Sequence, residues 1–230
     1  MSVSTGHEQL TAAQFAGAVA HVDLWHDPAV AAQQRALVDD ELARLRAGED
    51  LAVFRVLRAL VAEIDPAPAS VLEVGCASGY YHEVLRQGGW AGRYLGVDCS
   101  AVLIDLARQH HPGGEFRVAD ACALGDVGPF DLVLSGACLM HVVDWRRGLA
   151  ELARVARGHV LLHRTPLAAG GAATYWRKLA YGAPCAEQHF GEAELLAAVG
   201  AAGLRVAAQR DTGDHGEFVM RSYLCAKERA

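Results

Sequence analysis

Hydrophobic positions follow two different periods along this chain. Through the first 65 residues they recur at helical spacing. Val30, Leu37, Val38, Leu42 and Leu45 share one face, and Val53, Phe54, Leu57, Leu60, Val61 and Ile64 form a second stripe. Asp27-Pro28 offers an N-cap with proline at the first helical position, and Gly48 ends that helix. Asp65-Pro66-Ala67-Pro68 stops the next one. A shorter helix is expected within Leu10 to Ala20. From Ser70 onward, short apolar runs alternate with helical stretches, as in a parallel sheet with crossover helices. The runs are Val71 to Val74, Arg93 to Asp98, Glu115 to Asp120, Phe130 to Ser135 and Gly158 to His163. Helices are expected at Tyr80 to Gln87, from the Asp144 cap to about Arg157, and at Glu192 to Ala202. Leu204 to Arg210 and Phe218 to Lys227 read as a closing antiparallel pair around Asp211-Thr212-Gly213-Asp214. Arg164 to Gln188 has little periodicity, so a loop with a short helix at Thr174 to Ala180 is expected there.

The first apolar run carries most of the chemical information. Val71-Leu72-Glu73-Val74 enters Gly75-Cys76-Ala77-Ser78-Gly79, a strand followed by a glycine-punctuated turn and a helix. Glycine lets backbone approach a ligand closely because no Cβ intervenes. Open α/β sheets bind nucleotides at such a turn. A carboxylate inside the apolar strand, Glu73, requires a partner. A buried arginine and an amine-bearing ligand both qualify. The second and third runs each end in an acid, Asp98 and Asp120.

In this order, Glu73-x-Gly75-x-x-x-Gly79, Asp98, Asp120, Phe130-Asp131-Leu132-Val133 and Leu139-Met140-His141-Val142 resemble the class I S-adenosylmethionine-dependent methyltransferases. The resemblance runs from about Ser70 to the C-terminus. It implies an α/β, Rossmann-like, mostly parallel seven-stranded sheet with an antiparallel last strand. Residues 66–230 would form the S-adenosyl-L-methionine-binding domain, and residues 1–65 a helical lid or cover. It also implies methyl transfer to O, N or C of a small acceptor, secondary-metabolite or amino-acid-like. Ala77 stands where the family often has glycine, and is tolerated there if its φ is negative.

Composition narrows the partners. With 230 residues and 52% hydrophobic content, the chain can bury one sizeable core. A formal net charge of −6 disfavours nucleic acid, which needs clustered Lys and Arg. No segment has the length and apolarity of a membrane span, and the N-terminus lacks a leader's basic start and apolar core. The six cysteines form no C-x-x-C pair, which fits a reducing cytoplasm. No zinc spacing appears. His110-His111-Pro112 reads as solvated helix-end histidines, and no metal is expected. The sequence leaves oligomeric state open, a homodimer included.

By resemblance, Asp98 accepts from the ribose hydroxyls, with helix capping as the alternative. Asp120 faces the adenine amino group, or caps a turn over Ala121 to Leu124. Gly75, Cys76, Ala77, Gly79, Cys99, Ala121, Ser135, Gly136 and Glu73 complete the expected donor site. His141 and His163 are the candidate bases, His141 weighed against a packing role and His163 against a backbone-bonded one. A near-neutral imidazole suits proton abstraction, and Arg164 beside His163 suits a bidentate grip on a carboxylate or phosphate. Tyr80, Tyr81, His189 and Trp25 are candidate acceptor contacts, and His26, Tyr175 and Trp176 weaker ones. Two other classes compete: a non-catalytic methyltransferase-like subunit, and an NAD-dependent oxidoreductase. The latter lacks its G-x-G-x-x-G fingerprint here.

Overall fold

The computed structural model describes residues 7–20 and 24–228. The N-terminal segment contains β1 (Glu8–Leu10), α1 (Ala12–Ala20), a 3₁₀ turn (Leu24–His26), α2 (Pro28–Arg46) and α3 (Ala52–Ala62). Asp27 caps α2 through Ala29 N–H, with Pro28 at its start as expected. Then come β2 (Ser70–Val74), α4 (Tyr80–Gln87), β3 (Arg93–Asp98), α5 (Ala101–His110), β4 (Glu115–Val118) and β5 (Phe130–Gly136). A 3₁₀ turn (Leu139–His141), α6 (Trp145–Val155), β6 (Ala156–Ala168), β7 (Thr174–Ala180) and β8 (Ala183–His189) follow. The chain closes with α7 (Glu192–Ala201), β9 (Leu204–Asp214) and β10 (Phe218–Lys227).

The main sheet has seven strands in the order β4-β3-β2-β5-β6-β10-β9. The pairs from β4 to β6 are parallel, and β10 runs antiparallel to both β6 and β9. The chain builds outward from β2 to β4, then returns to place β5 on the other side of β2. That reversal opens a crevice at the carboxyl ends of β2 and β5. The period-2 alternation of the strands divides the core. Leu72, Val74, Val133, Val160 and Leu162 pack toward α6 and α7, and Val71, Leu132, Leu134 and Leu161 pack toward α2, α3, α4 and α5.

The sequence reading is corrected between Arg164 and Gln188. The expected helix at Thr174 to Ala180 is a strand, paired with β8 and, across the chain, with β1. Tyr181 and Gly182 both have positive φ, 52° and 75°, as a two-residue type I′ hairpin turn requires. The first strand is half-exposed on both faces and the second runs from exposed to buried along its length, so no clean alternation marked them. The fifth strand also continues five residues beyond His163, to Ala168, because β10 keeps pairing with it. His111 is buried against Arg35, 3.2 Å away, rather than solvated, and burial pushes its pKa down to about 4.

Candidate active site

The crevice deepens into a cleft of about 250 Å³, with strand ends as its floor. Gly75 has φ 76°, and a Cβ there would come 2.4 Å from Cys138 Sγ, so only glycine lets the turn lie against the loop after β5. Gly75 and Cys76 N–H groups both donate to Val97 O, at 2.8 and 3.0 Å, tying the turn to β3. Ala77 has φ 46°, contrary to the negative value expected. This left-handed conformation costs an L-residue about 1–2 kcal/mol. It points Ala77 N–H at Asp98 Oδ2, 2.9 Å away.

Asp98 is buried, and its Oδ1 accepts from Ser100 N–H at 2.9 Å. Burial raises its pKa, against the pull of these two amides. Ser100, not Asp98, caps α5, accepting from Leu103 N–H. Asp98 therefore lines the cleft as a carboxylate fixed by two amides. Asp120 lines it further along, its Oδ1 fixed by Cys122 N–H at 2.8 Å; Ala121 to Leu124 form a turn, not a helix. Glu73, 1% exposed, borders the cleft and accepts a hydrogen bond from Tyr94 Oη, so its partner in the fold is a phenol and not an arginine. Burial pushes its pKa up to about 8 against the Tyr94 hydrogen bond, leaving the carboxyl mostly protonated at neutral pH.

Cys99, Ala121 and Gly136 line the cleft as expected, together with Tyr80, Tyr81, Trp25, His141 and Arg164. Gly136 makes room for the Tyr81 ring, whose Cε2 lies 2.5 Å from where a Cβ would stand. Cys76 and Gly79 do not line it. Cys76 is buried behind the turn, and Gly79, φ 78°, lies against Phe116. Ser135 also faces away, into a small void shared with His163 and Phe190.

The two candidate bases separate sharply. His163 is 1% exposed and lies outside the cleft, because β6 continues past it. Its Nδ1 is 2.9 Å from Ser222 Oγ, and burial, with Arg164 adjacent, pushes its pKa down to about 3. His141 lines the cleft, with Nδ1 2.9 Å from Ala186 O and its ring edge-on to Trp25. An N–H at Nδ1 must donate to that carbonyl, which leaves Nε2 with the free lone pair. Burial lowers the pKa of His141, so it is neutral at physiological pH.

The roof of the cleft was not legible as such. The β7–β8 hairpin contributes Lys178, Tyr181, Cys185 and Glu187, and α2 contributes Gln34. Glu187 is buried between Lys178 and His189, which overcome the effect of burial and hold its pKa down to about 2. His189 therefore backs Glu187 instead of entering the cleft. Tyr175 and Trp176 also stay outside, packed near Phe15 and His189. Gly182 after an aromatic residue was the one local signal for the hairpin.

A glycine turn, a carboxylate ending β3, a second one two residues past β4 and a cleft at the sheet's switch point now stand together. Residues 45–209 match the family described as "Methyltransferase domain". The chain belongs to that family.

Among curated methyltransferases, the chain is 35% identical to a trans-aconitate 2-methyltransferase of Azoarcus sp. (strain BH72), over 49% of this chain and 45% of that protein. It is 33% identical to a malonyl-[acyl-carrier protein] O-methyltransferase of Serratia marcescens, over 44% and 39%. The chain thus matches less than half the length of these relatives. In fold it is similar to the magnesium protoporphyrin IX methyltransferase of Synechocystis PCC 6803 with bound SAM, at TM-score 0.59 and 20% identity, covering 81% of this chain and 83% of that one. The [4+2]-cyclase SpnF shares the fold as well, at TM-score 0.57 and 18% identity, over 76% and 81%. Among the described residues no helix is long and apolar enough to cross a membrane, and no cluster of metal-ligating side chains occurs.

Proposed function

We propose that this methyltransferase-family chain moves a methyl group from S-adenosyl-L-methionine to a small-molecule acceptor inside the cleft. The observation that carries the reading is the Asp98 carboxylate, immobilised by Ala77 and Ser100 amides at the cleft's edge. Two ribose hydroxyls are the donors that such a fixed acceptor suits. The fit extends along the floor. Asp120 accepts from the adenine amino group, while the cradle at Gly75, which a Cβ would fill, and Gly136 take the methionine part. Glu73 would meet the ammonium, whose positive charge would favour the ionised carboxylate over the protonated form, the proton leaving to solvent. The cofactor supplies an electrophilic methyl on a sulfonium.

The chain's own residues then have three tasks. Alignment of acceptor and methyl is the main one, and placement of this kind can supply about 7–11 kcal/mol of barrier reduction. The roof, built from the β7–β8 hairpin with Trp25 and Gln34 of the N-terminal segment, excludes water. His141 removes a proton from a hydroxyl or amine acceptor through Nε2, its Nδ1–H held on Ala186 O.

A second reading has a specific observation behind it: a cyclase carries the same fold, so a chain with this floor need not transfer methyl. Incubating the protein with methyl-labelled donor and a small-molecule extract separates the two. Label transferred to an extract component, with release of S-adenosylhomocysteine, supports methyl transfer. Tight donor binding with no transfer across such extracts supports the second reading.

A further inference from the structure

The backbone turns out of its strand at Arg164, where φ is 57° in the middle of β6. A non-glycine residue held in the left-handed region is strained, and such strain persists where its surroundings impose it. Here they do. The β6–β10 register shifts between Arg221 and Tyr223, and Ser222 in that irregularity accepts Arg164 N–H at Oγ, 3.1 Å away. The same Oγ lies 2.9 Å from His163 Nδ1, so Ser222 and His163 together latch the distorted turn. Strand irregularities of this kind re-aim side chains beside active sites. The side chain they aim is Arg164, and it enters the cleft.

What it meets there is incomplete. Among the described residues, Arg164 closes no ion pair and its guanidinium makes no hydrogen bond of good geometry. Tyr81 and Tyr80 stand beside it and favour its charge, and Glu41 adds to the field from farther off. Tyr81 Oη, 1% exposed at the residue level, also lacks a hydrogen-bond partner. A partly buried guanidinium with no carboxylate partner and a buried phenol beside it, both lining one cleft, form a donor set that an anion completes. The other cation lining the cleft, Lys178, is already neutralised by Glu187. With Lys178 paired to Glu187 and Asp98 bordering the same space, Arg164 is the one unpaired guanidinium or ammonium lining the cleft among the described residues, enough for a single negative charge and not for several. The rings of Trp25 and Tyr181, 6.0 Å apart, give the neighbouring wall an apolar, aromatic character.

We infer that the acceptor is a monocarboxylic acid with an apolar or aromatic body, its carboxylate seated on Arg164 and Tyr81. This deepens, and rests on, the methyl-transfer reading. Arg164 is the specificity-determining residue, and Ser222 and His163 position it.

The test uses benzoate, with benzamide as its uncharged match and trans-aconitate as a trianion, titrated into protein saturated with S-adenosylhomocysteine. Benzoate should bind about 10-fold or more tighter than benzamide, and trans-aconitate no tighter than benzoate. Arg164→Asn is the informative variant, because asparagine accepts the left-handed backbone. It should keep S-adenosylhomocysteine affinity, keep or raise the melting temperature, and weaken benzoate about 10- to 100-fold. An arginine kept for structure alone would instead lower the melting temperature and leave the benzoate preference intact. Equal binding of benzoate and benzamide, no benzoate binding, or tighter trans-aconitate overturns the inference while the methyl-transfer reading stands. Loss of S-adenosylhomocysteine affinity in Arg164→Asn also overturns it, by making Arg164 a donor ligand. Failure of the parent protein to bind S-adenosylhomocysteine removes both readings together.

Discussion

Floor and roof of the cleft are built by different rules. The floor consists of the ends of β2, β3 and β5, central strands buried on both faces and tied by the Val97 carbonyl to the glycine turn. The roof is a hairpin outside the main sheet, its first strand half-exposed, joined to β1 and α1 from the other end of the chain. Packing density makes the floor intolerant of change, and the job proposed for it, holding one donor, does not vary. A peripheral hairpin can change side chains at little cost to the core, which suits the recognition of one acceptor among many. On the proposed function the two regions separate donor binding from acceptor choice, and variants in each should separate in the same way.

The largest effect is expected on the floor. Asp98→Ala leaves the Ala77 and Ser100 amides unpaired and should weaken S-adenosylhomocysteine by about 100-fold or more, measured by calorimetry. A roof variant such as Tyr181→Asn should leave that affinity within about threefold, a margin set by additivity of separate sites. Next in size is His141→Gln, between the two regions, which should lower kcat by about 10²-fold with S-adenosylhomocysteine affinity unchanged. Because burial depresses the pKa of His141, the parent's rate should stay level as pH falls through the ordinary histidine range and drop only below it. A rate that halves near pH 6.5 would remove His141 as the base.

An effect on stability rather than on binding or rate tests the floor's buried carboxyl. Glu73 has a folded pKa of about 8, raised from 4.5, so its protonated form is favoured by folding. Its contribution to stability is complete below pH 4.5 and is lost as pH rises through about 8. Denaturant unfolding of Glu73→Gln and the parent should therefore diverge between these limits, the parent losing up to about 5 kcal/mol relative to the variant. Parallel profiles would show that the carboxyl ionises freely in the fold. The smallest effect lies at the roof's tip. Asn-Gly is a favoured pair for a type I′ turn, so Tyr181→Asn should raise the melting temperature by a few degrees (about 0.5–1 kcal/mol). The same variant should raise the acceptor KM about 3- to 10-fold through the lost ring. A tyrosine kept for the turn alone would do neither.

The same contrast explains what could be read from the sequence. Gly75, Asp98 and Asp120 were legible because chain-local features place them: an apolar run, a glycine, a strand-terminal acid. Helices α2 and α6 were legible from their apolar stripes and aspartate caps, and α3 from its apolar stripe. The hairpin was not, because β1, the strand that completes its sheet, lies more than 160 residues away and the half-exposed faces of its first strand carry no alternation. His163 and His189 were misplaced for a related reason. A strand's end is fixed by its partner, and β10 extends β6 beyond His163, while pairing with Glu187 turns His189 away from the cleft. Arg164 was legible as a residue type suited to anions, but its left-handed turn depends on Ser222, far along the chain.

One titration bears on all of this most directly: S-adenosylhomocysteine into the purified protein by isothermal calorimetry, with NAD as the comparison ligand. The account predicts one site per chain for S-adenosylhomocysteine, weakened about 100-fold or more by Asp98→Ala, and no heat with NAD. Absence of heat with S-adenosylhomocysteine, or a site for NAD alone, would contradict it.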